Sequence, residues 1–206
     1  ANAECRSYVF ELAGGVWSEQ AILTPTGGLA QLFHSEFGQA VAVDGDTIVV
    51  GAPRAYPVIG GTEGLAYVFE PLNGVWTKVA EFGVAAPQVH PHAGASVSIS
   101  KSIIVIGAPD DPPLGAQAGR VLVARKRYCC WDQYFDFLAN DGAPGDQFGS
   151  AVANDGSFIA SGAKFRDESS TDCGAVYTGA CVITTVDHCT AKVNSLGCTP
   201  HIGNVG

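Results

Sequence analysis

Short apolar runs alternate with turn residues along most of the chain. Tyr8-Val9-Phe10 and the Trp17–Leu23 stretch flank Gly14-Gly15, while Ala40–Val43 and Thr47–Val50 flank Asp44-Gly45-Asp46. Runs of this length, rich in β-branched and aromatic residues and bounded by turn formers, predict strands. Asp-Gly supplies the positive φ of a tight turn, so the second pair is predicted as a hairpin, and Asp155-Gly156 repeats it. Small residues interleaved with Val and Ile suit sheets that pack closely face to face.

The pattern recurs. The segment AYVFEPLNGVWTKVAEF, from Ala66, echoes SYVFELAGGVWSEQAIL, from Ser7, and RVLVARKRYCCWDQYFDFL, from Arg120, is a diverged third copy. Trp17, Trp76 and Trp131 follow at intervals of 59 and 55 residues. The second half of each unit repeats as well: EFGQAVAVDGDTIVVGAP, HAGASVSISKSIIVIGAP and QFGSAVANDGSFIASGAK. Fourteen positions separate Phe37 from Gly51, Ala93 from Gly107 and Phe148 from Gly162. Four antiparallel strands per unit of about 55 residues predict an all-β, propeller-like array of blades. The units fall at about 6–65, 66–119 and 120–174, with a partial unit at 175–186 and a cysteine-containing tail at 187–206. Roughly three and a half blades are too few to close a ring. The arc is expected to be open, to be completed by another chain, or to belong to a longer parent.

Composition narrows the class. With 26 Gly and 11 Pro the chain is too rich in breakers for a helical bundle, and 47% hydrophobic residues are too many for a disordered one. A formal charge of −9 repels phosphate backbones and anionic lipid, which argues against nucleic acid as a partner. No apolar run approaches the length of a spanning helix, so no membrane insertion is expected. Position 1 is Ala and Met is absent, so the chain reads as a processed protein or a segment of a longer one. Cys5, Cys129, Cys130, Cys173, Cys181, Cys189 and Cys198 are concentrated on Gly-rich, polar stretches and read mainly as disulfide partners, which suggests secretion. A rival zinc site near His188, Cys189 and His201 lacks paired Cys-x-x-Cys spacing.

The Phe-Gly and Gly-Ala-Pro signatures make the chain resemble the FG-GAP repeat proteins, the β-propeller family that includes integrin α-subunit heads. The resemblance spans roughly residues 6–186. Two copies depart from it, with Ala93-Gly94 in place of Phe-Gly and Gly162-Ala163-Lys164 in place of Gly-Ala-Pro, so those blades are expected to pack less regularly. Integrin-like members bind calcium between the two signatures, but Asp44-Gly45-Asp46, Ser100-Lys101-Ser102 and Asn154-Asp155-Gly156 offer too few oxygens. Elsewhere calcium is weighed at Asp110, Asp111, Asp141, Asp146 and Asp167, against a solvated loop charge as the default. No cofactor is required. From His188 to Pro200 the tail resembles the opening of a C-terminal module of secreted planctomycete-type proteins, which makes Cys189–Cys198 the preferred local pairing, with Cys173 and Cys181 as the other candidates.

Catalytic signatures are missing: there is no Gly-x-Ser-x-Gly elbow, no His-Glu-x-x-His and no phosphate-binding Gly loop. His90-Pro91-His92 presents two imidazoles without an evident third ligand. Trp17, Trp76 and Trp131 read as structural, covering one inter-blade seam three times; sugar stacking is the alternative for each. Arg125-Lys126-Arg127 reads as a solvated turn tip or as a dock for an acidic surface. The sequence thus predicts an extracellular, non-enzymatic structural or adhesive repeat protein acting through other protein chains, as a homo-oligomer or filament. The alternatives are a glycan-binding propeller and a hydrolase on the same scaffold.

Overall fold

The computed structural model describes residues 5–25, 35–55, 64–84, 90–128, 130–167, 172–181 and 198–201. They form an array of antiparallel sheets. A two-stranded sheet pairs β1 (Ser7–Ala13) with β2 (Val16–Leu23). A first four-stranded blade follows: β3 (Val41–Asp44), β4 (Thr47–Ala52), β5 (Leu65–Leu72) and β6 (Val75–Phe82). The second blade is β7 (Ser96–Ser100), β8 (Ile103–Ala108), β9 (Arg120–Arg127) and β10 (Cys130–Phe137). The third is β11 (Phe148–Asn154), β12 (Phe158–Ala163), β13 (Ala175–Cys181) and β14 (Cys198–His201). In each blade neighbouring strands are consecutive in sequence, and the first strands, here called inner, touch in series, β3 against β7 and β7 against β11.

The predicted hairpins form, but the sheets group them differently from the sequence units. Hairpin β3–β4 pairs with β5, which opens the next unit, and β8 with β9 and β12 with β13 do likewise. Unit boundaries at 119/120 and 174/175 therefore run between paired strands, that at 65/66 falls one residue inside β5, and β14 lies within the expected tail. The turns use the chemistry anticipated: Gly45 and Gly156 hold φ of 55° and 86°. In the second blade Lys101 takes the same left-handed role at 56°. Its N–H is held by the Asp44 carboxylate of the preceding blade.

Three cores lie between successive sheets. The first joins Leu23 and Val9 to Phe37, Tyr67 and Phe69; the second joins Val49 and Val68 to Ile99, Leu122 and Trp131; the third joins Val105 and Val123 to Phe148 and Tyr177. The Phe of Phe-Gly packs edge-on to the Tyr that opens the third strand of its own sheet, at 5.6 Å for Phe37–Tyr67 and 5.2 Å for Phe148–Tyr177. In the middle blade both partners shrink together, to Ala93 and Leu122, and both remain buried. The departure from Phe-Gly is thus matched within the same core.

The signature glycines explain themselves by contact between blades. A Cβ on Gly51 would stand 2.0 Å from the carbonyl oxygen of Gly94, and one on Gly107 would stand 1.9 Å from that of Gly149. Each Gly-Ala-Pro glycine thus receives the Phe-Gly glycine of the next blade, backbone to backbone, where no side chain fits. Parallel bridges Gly64–Ala93 and Gly119–Phe148 close the same seams.

Candidate functional site

The blade seam places three kinds of surface on the outside of the array. The first is a polar cleft of about 280 Å³ that draws on equivalent positions in all three blades. Glu36, His92 and Gln147 precede the Phe-Gly position, and each holds a left-handed φ, of 54°, 52° and 54°. Arg54, Asp110 and Lys164, next to the Gly-Ala signatures, complete the rim. Asp110 organises it: its Oδ2 lies 2.5 Å from His92 Nδ1, and its Oδ1 accepts Gln147 Nε2 at 2.8 Å and Gln117 Nε2 at 3.2 Å. Arg54 pairs with Glu36 at 3.3 Å. Ser150, also on the wall, donates to the Gly162 carbonyl at 3.1 Å, so its hydroxyl is committed to backbone.

The five carboxylates weighed for calcium are each occupied by protein donors. Asp110 serves the cleft. Asp111 is buried and accepts Arg120 Nε at 2.5 Å. Asp141 accepts the Tyr177 hydroxyl at 2.8 Å and Arg166 at 3.1 Å; Asp146 accepts Arg166 at 3.3 Å and the Ala143 N–H at 2.7 Å. Burial first, and then Asp141, push the Tyr177 hydroxyl well above the usual phenol range. Asp167 accepts the Asp172 N–H at 2.6 Å. Among the described residues no three His, Cys, Asp or Glu side chains are grouped to hold a metal ion.

The three tryptophans share a register and differ in environment. Trp131 is 8% exposed and donates its indole N–H to Glu70 of the preceding blade at 2.8 Å; Trp76 is half-buried against the first core; Trp17 is 66% exposed. The gradient follows what stands before each one: a full blade, a two-stranded sheet, and no sheet among the described residues. Glu70 was not singled out by sequence, yet it gathers Lys126 Nζ at 2.7 Å and Thr47 Oγ1 at 3.2 Å as well. Burial opposes its ionisation, but the bonds from Lys126, Trp131 and Thr47 outweigh burial and hold the carboxyl below its ordinary range. This corrects the reading of Arg125-Lys126-Arg127 as a turn tip: all three lie on β9, Lys126 bridges to the neighbouring blade, and Arg125 stacks 4.1 Å over the Tyr134 ring. Of the disulfide candidates, Cys173 donates to the Arg166 carbonyl at 3.4 Å, Cys198 stands opposite Cys181 in the β13–β14 register, and Cys189 lies outside the described residues.

The remaining two surfaces are the ends of the array. At the C-terminal end Phe158 of β12 is 61% exposed and Val176 of β13, opposite Gly162, is exposed as well, although their counterparts in the second blade, Ile103 and Val121, are buried in the seam with the third. Gly162 sits there with only Ser150 and Ala151 within 4 Å of a built Cβ among the described residues. At the N-terminal end Tyr8, Phe10, Leu12 and Trp17 are exposed on the β1–β2 sheet, whereas Tyr67 and Phe69, the counterparts of Tyr8 and Phe10, are buried.

The FG-GAP repeat family profile matches residues 17–69 and 131–178. The chain carries FG-GAP repeats. Each match runs from a Trp, through the Phe-Gly and Gly-Ala signatures, into the opening strand of the next unit, and the stretch between the matches holds the copy with Ala93-Gly94. No curated protein matches the FG-GAP chain significantly. Among the described residues of this FG-GAP array, no helix is long and apolar enough to cross a membrane.

Proposed function

We propose that this FG-GAP array is an extracellular, non-enzymatic interaction module that works through protein–protein contacts and self-associates head to tail. The observation that carries this reading is the pair of faces that stand exposed among the described residues. Phe158, Val176 and Gly162 at one end have the form of a blade face that internally receives a following blade, and Tyr8, Phe10 and Trp17 at the other have the form of a face that internally packs on a preceding one. Unlike ends of this kind make a heterologous contact, which propagates into rings or filaments. Apolar side chains exposed on a face that is buried elsewhere in the same array mark an interaction surface. Size-exclusion chromatography with light scattering tests the reading: particle mass rises above 21.2 kDa with concentration in the native chain and stays near it in Phe158→Asp. A native chain that is monomeric at high concentration overturns it.

A second reading, glycan binding, draws support from Trp17, whose exposed indole suits stacking on a sugar ring. A glycan array probed with native protein and Trp17→Ala decides it: binding lost in the variant supports a lectin, and no binding by the native chain removes it.

A further inference from the structure

The polar cleft treats its three blades unequally. In the first two, a pair joins the residue before the Phe-Gly position to the residue after the Gly-Ala-Pro proline: Glu36 with Arg54 at 3.3 Å, and His92 with Asp110 at 2.5 Å. The third blade breaks this scheme. Gln147 donates to Asp110 of the second blade instead, and the position after the signature holds Phe165. Both carboxylates of the cleft wall are thus committed to protein donors, Glu36 to Arg54 and Asp110 to three side chains.

Lys164 stands where the other blades have Pro53 and Pro109, and all three line the cleft. The departure from Gly-Ala-Pro therefore falls on the cleft wall, where it exchanges a residue without a donor for an ammonium. The core behind it is unaltered, since Phe148 and Tyr177 keep the edge-on contact of Phe37 and Tyr67. Among the described residues no carboxylate lies within ion-pair distance of Lys164; its Nζ rests 4.8 Å from the centroid of the Phe165 ring. An aromatic face holds such a cation in place without consuming its hydrogen-bond donors. Arg54 engages Glu36 through Nε, which leaves the terminal nitrogens of its guanidinium for a further acceptor. The left-handed φ of Glu36, His92 and Gln147 adds a cost that glycine would avoid, and it is met at all three blades to set a polar side chain on this wall.

We infer that the cleft is a binding site for a ligand that carries a carboxylate next to a hydroxyl or amide N–H. Lys164 and Arg54 receive the carboxylate, and Glu36 and Gln39 accept from the neighbouring donor. A volume of about 280 Å³ stands at the lower edge of the range for small-molecule sites, which suits one acidic residue or one sugar acid. This chemistry has two sources, a free hydroxy or sugar acid and an acidic residue of a partner protein. The site holds whether or not the chain self-associates.

The test titrates the full chain, labelled with nitrogen-15, with glucuronate and separately with acetyl-Asp-Gly amide, and follows backbone amide shifts. Expected is saturation by at least one probe at about 10 mM or below, with shifts centred on Arg54, Asp110 and Lys164. The neutral analogues, glucose and acetyl-Asn-Gly amide, bind at least about tenfold more weakly. Lys164→Gln loses about tenfold in affinity for the acid while melting at the native temperature, because the side chain is exposed. Lys164→Pro, which restores the signature of the other blades, loses as much. Saturation by glucuronate alone supports a free acid as the ligand, saturation by the peptide alone supports a partner's acidic residue, and saturation by both supports the shared chemistry. Failure of both probes to saturate, equal binding of a neutral analogue, or native affinity in Lys164→Gln overturns the site.

Discussion

Gly107 and Gly149 touch backbone to backbone across the seam between the second and third blades, so closely that a Cβ on Gly107 would stand 1.9 Å from the Gly149 carbonyl oxygen. Gly162 occupies the same repeat position one blade later and meets no backbone of a following sheet among the described residues. Gly107→Ala must push two sheets apart and is expected to cost about 1–3 kcal/mol or more. Gly162→Ala is expected to be neutral or to stabilise by up to about 1 kcal/mol, through lower unfolded-chain entropy. Urea denaturation of the two variants checks the contrast; equal losses would show that the seam is not the reason for the motif.

The tryptophans give a second graded series. Trp131→Ala empties a buried site and removes one of the three side-chain donors to the Glu70 carboxylate, so it is expected to lose roughly 3–5 kcal/mol. Trp17→Ala changes an exposed side chain and is expected to fall within about 0.5 kcal/mol of native in dilute solution. Thermal and urea melts at low protein concentration measure both without interference from association.

Glu70 makes one seam sensitive to acid. Its folded carboxyl titrates below the ordinary value of 4.5, so the stabilisation it brings is complete above that value and is lost as pH falls through the lower folded one. Glu70→Gln is expected to lower stability at neutral pH by about 1–3 kcal/mol, because Lys126 and the Trp131 N–H lose a charged acceptor. The variant should also show a shallower decline in stability on acidification. Urea midpoints measured from neutral pH to below 4 test both statements, and parallel native and variant curves would refute the second.

Calcium is expected to leave the melting temperature unchanged. Asp110, Asp111, Asp141, Asp146 and Asp167 each already accept hydrogen bonds from protein groups, and a hard cation asks for six or more convergent oxygens. Melts in millimolar calcium and in chelator should superimpose; a rise of several degrees with calcium would reveal a site assembled from residues beyond those described.

Much of this fold could be read from residue order, because its signals are local. Asp44-Gly45 and Asp155-Gly156 specify their turns within a few residues, and the hairpins on either side form as expected. The strand pairing between hairpins was harder to read: β4 and β5 are separated by a connection, and nothing within one unit says that its second hairpin joins the next unit's first. The cleft was missed for a related reason. Glu36, His92 and Gln147 differ in chemistry, and only their shared place before the Phe-Gly position marks them as neighbours in space. Lys126 was misplaced because its partner, Glu70, lies on another blade.

The half-unit offset between sequence repeat and sheet separates what is copied from what folds. A fragment cut at the sequence boundaries, such as 66–119, holds the outer half of one sheet and the inner half of another, and neither half has its covalently attached partner. A fragment spanning 35–84 carries a whole sheet. Adding one sequence unit within such a chain therefore lengthens the array by one complete blade, because its first hairpin completes the sheet before it and its second begins the sheet after it.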